Sequence, residues 1–276
     1  MSEMLQLMVA PFLACMVLNG LLAYLGVHII AREVIFVDLS LAQMAALGAT
    51  SALLFGVATD SLTAYAFALG FTTVGAIIFA MTRTNPERRR VPQEAIIGIV
   101  YVVATAAATL VADQAPAGAE TIKEALVGSI LWVTASDIWK LAAVYALIGA
   151  FHWFFRERFL TISLHEAEAT RRGWSLRWWD FLFYLSFGVA ITLAVPIAGV
   201  LLVFTFLVVP AVVAFLFTRS TGRLISISWA SSALASALGL ALSFRYDLPT
   251  GPLIVCMFGV VLVAAGAVRR IMNASA

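Results

Sequence analysis

Among the ionisable side chains within or beside apolar stretches of this chain, His28, Asp38, Glu94 and His152 stand out. An ionisable group inside a membrane segment is expensive, so each is a functional candidate by default. Carboxylate oxygens and imidazole nitrogens are also donors that divalent transition metals accept. All four are therefore candidates for passing a substrate cation. Each also sits near the end of an apolar run, where reaching the polar interface is the alternative to touching substrate. The rest of the inventory points away from other chemistries. The histidines (His28, His152 and His165) fall at different levels of the chain. Neither paired carboxylates nor a Ser/His/Asp order suggests a membrane enzyme. Cys15 and Cys256 both lie in apolar runs, so no disulfide framework or thiolate metal site is expected. There is no Gly-rich phosphate loop of the Walker type, so any ATP would be hydrolysed by another chain.

The elements that must position these residues are membrane helices. Hydrophobic residues make up 63% of the 276 positions and charged residues 12%. Apolar runs of about twenty residues recur along the chain, each enough to cross roughly 30 Å of hydrocarbon. Continuous runs, not alternation, argue for helices over a β-barrel. The expected fold is an all-α polytopic membrane protein of one domain, 1–276, with eight or nine transmembrane helices. The predicted spans cover about 5–30, 35–57, a third ending near 81, 94–112, 137–155, 178–195, 199–217, 224–244 and a last one ending at Arg269 and Arg270. The apolar stretch 126–133 is too short to cross and reads as an interfacial half-helix. The amino-terminal run has only Glu3 before it and no basic residues, so it is expected to be a retained span, not a cleaved signal.

The longest polar interruption is 161–177, TISLHEAEATRRGWSLR. Residues 164–172 can form about two and a half helical turns, closed by Gly173 as a C-cap. A short charged helix between two spans must lie at the membrane surface. Its basic excess places it on the cytoplasmic side, where docking a soluble partner is its simplest use. An ordinary interfacial loop is the alternative. The basic residues orient the whole chain. With the amino terminus outside, Arg32, Arg83, Arg88, Arg89, Arg90, Arg156, Arg158, Arg171, Arg172, Arg177, Arg219, Arg223, Arg269 and Arg270 fall inside, and only Lys123, Lys140 and Arg245 outside. The opposite orientation reverses that bias. Glu3, Asp60, Asp113, Glu120, Glu124, Asp137 and Asp247 then make the outer loops acidic, which would attract cations or the basic rim of a delivery protein. Pro196 is expected to close the sixth span and Pro210 to interrupt the seventh. With Gly199 they are candidate breaks along a translocation path, where irregular backbone must be buried or solvated. Structural kinks are the alternative.

Several of these segments carry a resemblance. Residues 194–218, AVPIAGVLLVFTFLVVPAVVAFLFT, resemble the signature hairpin of the metal-type ABC importer permeases through Gly199, Leu201, Leu202, Pro210 and Ala211. DLPTGPLIV at 247–255 is similar to that family's Leu-Pro-x-Gly turn before its last span. QEAIIGIVY at 93–101 is similar to its Ala-Ile-Gly-Ile segment. HEAEATRRG at 165–173 resembles its acidic-x-x-x-Ala-x-x-x-Gly cytoplasmic stretch. The motifs run in family order from about residue 20 to 265. The resemblance implies a permease dimer in the inner membrane, two separate ATPase subunits that bind ATP, and an extracytoplasmic binding protein. Lipid is the other expected partner, and nucleic acid is not one. No stably bound cofactor is expected; the metal ion would be cargo. The resemblance also implies that 161–177 is the coupling segment, with Glu166, Ala167, Glu168, Ala169 and Gly173 at the contact with the ATPase.

This chain departs from the family pattern at one chemically important place. The family carries an Asp and a His four residues apart early in the second span, followed by a Gly five residues later. Aligned on Gly48, those positions here are Leu39 and Gln43. Gln43 offers a neutral carbonyl oxygen, a weak zinc ligand. Asp38 is adjacent but about 100° round an ideal helix. Zinc, manganese and iron all remain open as cargo. So does a metal chelate or siderophore-like substrate, and, in another class, a secondary transporter driven by an ion gradient.

Overall fold

The computed structural model describes residues 2–58, 61–83, 91–114 and 128–274, with side chains from residue 8 onward. Asp60, Arg88, Arg89, Arg90, Glu120, Lys123 and Glu124 lie outside the described residues, as does the side chain of Glu3. The described residues form α1 (Ser2–Arg32), α2 (Val37–Leu53), α3 (Leu62–Met81) and α4 (Gln93–Asp113), then a single 3-10 turn (Ile130–Trp132). They continue as α5 (Ala135–Phe154), α6 (Arg156–Leu164), α7 (Glu166–Arg171), α8 (Leu176–Phe217), α9 (Thr221–Tyr246) and α10 (Thr250–Ala274). Six of these helices are long and apolar enough to cross a membrane, and a seventh span arises if α5 and α6, bent by 76°, count together. Treating the 42-residue α8 as two spans and adding the 17-residue α2 reaches the nine expected from the sequence.

Local chemistry sets the helix ends. Ser61, extended at ψ 152°, accepts a hydrogen bond from the Ala64 N–H at 3.1 Å and starts α3 as an N-cap. At the end of α7, Gly173 has φ 70°. Its N–H reaches the Thr170 carbonyl at 3.0 Å, and the Trp174 N–H reaches the Ala169 carbonyl at 3.2 Å. That pair of bonds is the Schellman closure, which needs a left-handed residue and so favours glycine. The expected cap at Gly173 is therefore present.

Two expectations about breaks are corrected. The single helix expected over 164–172 is two helices, split at His165 (φ −142°, ψ 55°); no glycine or proline marks that break. Pro196 does not close a span. Helix α8 runs through it and breaks three residues later at Gly199, whose φ of 76° and ψ of 155° are non-helical. A proline removes one amide donor yet keeps helical φ. A glycine can leave the helix altogether.

The chain divides into two compact units. One comprises Met1–Ile30, Val127–Gly149 and Ile197–Ala276; the other comprises Ala31–Leu126 and Ala150–Pro196. In the first, Val27, Ala211, Ala214 and Leu224 form a core cluster with Ile30, Phe215 and Ile227 packed against it. Two of its buried polar groups are tied to backbone: Asn19 donates to the Trp229 carbonyl at 3.2 Å and Ser228 to the Pro210 carbonyl at 3.2 Å. In the second, α2 packs against both α3 and α4. Its small residues make this possible. A Cβ at Gly48 would lie 2.5 Å from the Phe67 carbonyl oxygen, so the two backbones touch directly. Helix α2 is consequently buried round most of its circumference, Asp38 and Gln43 included.

Candidate functional site

The second unit holds the carboxylates singled out from the sequence. Asp38 lies in the first turn of α2 and is 2% exposed; its Oδ1 has no hydrogen-bond partner among the described residues. Glu94 lies in the first turn of α4. Its Oε1 accepts the Phe36 N–H at 3.0 Å, so it caps the free amide end of α2. Its Oε2 is buried without a partner, and Glu94 and Asp38 lie close enough to feel each other's charge. Gln43 is buried on the same helix. The 100° offset of Asp38 therefore does not turn it toward lipid, because nearly every direction around α2 is occupied by protein.

The histidines do not join this pair as a ligand set. His28 is buried in the first unit, edge-on to Tyr24 at 4.7 Å. His152 is buried in the second, 2.8 Å from Ser186 Oγ and stacked on Phe159 at 4.3 Å. The rings of Phe151, Phe159 and Phe183 surround it. Among the described residues no group of three or more His, Cys, Asp or Glu side chains could hold a metal ion.

The break at Gly199 lies in the first unit, and α8 stays helical at both Pro196 and Pro210. The Ser129 N–H donates to the Ile197 carbonyl at 3.0 Å, and a Cβ at Gly128 would sit 2.2 Å from the Gly199 nitrogen. The strand of chain leading into the 3-10 turn thus lies backbone to backbone on the break in α8. The half-helix expected over 126–133 survives only as Ile130–Trp132 within its described part.

The stretch around α7 is held mostly by its own chain. Arg172 bonds Glu157 at 2.7 Å and Glu168 at 2.5 Å, and the Arg158 guanidinium lies over the Trp174 and Trp179 rings at 5.1 and 4.8 Å. Ala169 is fully buried inside this chain, whereas Ala167 is exposed. Of the five residues proposed to meet an ATPase, Ala169 therefore faces inward and Ala167 outward.

Sequence reasoning missed the most heavily bonded charges in the unit. Asp180, in the second turn of α8, is completely buried and receives two arginines. Arg32 Nη1 reaches its Oδ1 at 2.7 Å, and Arg83 Nη1 bonds its Oδ2. The second terminal nitrogen of Arg83 reaches Glu166 Oε1, in the first turn of α7, at 3.0 Å. Arg32 also donates from Nε to Ser163 Oγ at 2.7 Å and lies over the Phe183 ring at 4.0 Å. Four formal charges, two of each sign, thus cancel, three of them at most 10% exposed and Glu166 half-exposed at the edge. For the Arg83 guanidinium, burial alone would lower the pKa. The facing carboxylates of Asp180 and Glu166 more than reverse this and hold it above the usual arginine range. Removing one partner from such a set leaves an uncompensated buried charge, at a cost of about 3–5 kcal/mol. The rule that flagged Asp38, an ionisable group in a predicted span, applies equally to Asp180. Arg32 and Arg83 were read only as topological markers.

Two chlamydial membrane proteins named for a metal transport system match this chain. The Chlamydia muridarum protein is 26% identical over 183 residues, 66% of this chain and 62% of its own length. The Chlamydia pneumoniae protein is 24% identical over 277 positions, 98% of this chain and 92% of its own. A manganese transport system membrane protein of Listeria innocua is 24% identical over 214 residues, 78% of this chain and 76% of the relative. The solved structure of PsaBC from Streptococcus pneumoniae in complex with Fab superposes with a TM-score of 0.78 at 20% identity, covering 95% of this chain and 93% of that one. That likeness establishes the fold. The sequence of the ABC 3 transport family matches residues 4–269, nearly the full length, and the chain is a member of that family.

Proposed function

We propose that this chain is the permease of an ATP-driven importer that brings a divalent transition metal ion into the cytoplasm. The observation that carries the reading is the family match from residue 4 to 269, joined to a short capped helix, α7, between α6 and α8. The importer reading assigns ATP hydrolysis to a separate ATPase chain, delivery to an extracytoplasmic binding protein, and a second permease copy to the assembly. The exposed side of α7, with Ala167 at its centre and Gly173 setting its exit, is the ATPase-facing surface. Asp38 and Glu94 are the cargo contacts favoured by the geometry, since each keeps a buried oxygen without a partner. Manganese is the metal for which the Listeria relative is named, and carboxylate oxygen suits it better than zinc. Accumulation of manganese, iron and zinc ions by cells producing the chain with its ATPase tests the proposal. Loss of uptake in an ATPase-inactive strain is expected. Uptake that persists there would favour the gradient-driven alternative, and uptake of a ferric chelate alone would favour the chelate.

A further inference from the structure

We propose that Asp180, Arg83 and Glu166 form a charge latch that seats α7 on the membrane helices, with Asp180 and Arg83 as positioning residues for coupling. The inference rests on the reading of α7 as the ATPase-facing helix, and deepens it. Asp180 is a single carboxylate shared by two arginines, Arg32 and Arg83. Those three groups, at most 10% exposed as side chains, carry a net positive charge. Among the described residues neutrality is completed by Glu166, whose side chain is 36% exposed and belongs to α7. When α7 is seated, the buried set is neutral. When α7 lifts away, a desolvated guanidinium loses its second carboxylate. The position of α7 is therefore linked electrostatically to the last residue of α1, the residues after α3 and the start of α8. Arg83 is suited to this because its planar fork presents two terminal nitrogens, one to each acid. Lysine offers a point charge and could not bridge them in the same way.

The latch predicts that Glu166 faces inward for its effect, although it lies on a surface helix. Glu157, in the first turn of α6, pairs with Arg172 on the outside and serves as the control. The test is amide hydrogen exchange of α7 in the purified permease, together with ion uptake in cells, using whichever of manganese, iron or zinc ions the wild type accumulates. In Glu166→Gln the α7 amides should exchange about tenfold faster or more, as expected from loss of a charge-assisted hydrogen bond that limits local opening. Uptake should fall several-fold at unchanged membrane abundance, and Glu157→Gln should do neither. The double variant Arg83→Gln with Glu166→Gln removes one charge of each sign, leaving Arg32 and Asp180 neutral together. It should recover thermal stability yet keep a loosened α7 and low uptake, which a purely structural role would not produce. Unchanged α7 exchange in Glu166→Gln, or normal uptake in the double variant, would overturn the latch. Ala167→Trp, on the exposed side, tests the underlying reading separately. If it leaves ATPase retention and uptake intact, α7 is not the docking helix, whatever the exchange data show.

Discussion

Asp38 and Asp180 are both carboxylates near the start of apolar helices, both almost wholly buried, and both in the same compact unit. Their surroundings are opposite. Asp180 is saturated by two arginines, one of which continues to Glu166. Asp38 has an oxygen without a partner among the described residues, and it feels the charge of another acid, Glu94. A buried carboxylate surrounded by guanidinium groups is part of the framework, because every direction from which a cation could approach is already taken. A buried carboxylate facing a second carboxylate gains from a passing cation and has little else to gain from its position. Composition and span position are alike in the two cases, so only the partners tell the two carboxylates apart.

The widest separation between the two sites should be in stability. Asp180→Ala strands two buried arginines and should cost about 3–5 kcal/mol, read as a large drop in thermal midpoint of the detergent-solubilised protein and in membrane abundance. Asp38→Ala removes an acid without a compensating cation, so the midpoint should hold or rise while ion uptake falls several-fold. A matching loss of stability in both variants would erase the distinction. Smaller is the effect expected of Gln43→His. Imidazole is the better zinc ligand, so the ratio of zinc to manganese uptake should rise a few-fold, measured by competition between the two ions. An unchanged ratio, with Asp38→Ala also silent, would place the cargo path away from α2. Smallest of all is Glu157→Gln at the exposed Arg172 pair, where solvent competes fully; thermal midpoint and uptake should both match wild type.

Much of this architecture can be read from the chain itself, for physical reasons. The ends of α3 and α4 follow from the limits of their apolar runs, and the cap at Gly173 follows from a glycine after a short charged helix. The acidic ends of α2 and α4 were visible because charge in an apolar run is conspicuous. Three things were not visible. That α2 is covered on nearly all sides depends on Gly48 meeting the backbone at Phe67, a long-range contact with no local periodic signature. The break at Gly199 instead of Pro196 depends on which residue leaves helical φ and ψ, and an apolar stretch containing both Pro and Gly does not specify that. The Asp180 cluster joins residues 97 and 148 positions apart, and single-chain patterns carry no record of such distances.

Those same separations bear on how the protein is made. Chains emerge from the ribosome amino terminus first, so Arg32 and Arg83 are synthesised and placed well before Asp180 appears. An arginine waiting at a membrane surface is comfortable, because its long stem lets the guanidinium reach headgroup phosphates. A short aspartate side chain has no such reach. The order in the sequence means that the acid never has to wait: two cations stand at the membrane border when α8 arrives, and Glu166, made only moments earlier, completes the set. Reversing the order, with the acid first and its arginines last, would oblige a nascent helix to hold a bare carboxylate near lipid for the time needed to translate about a hundred residues.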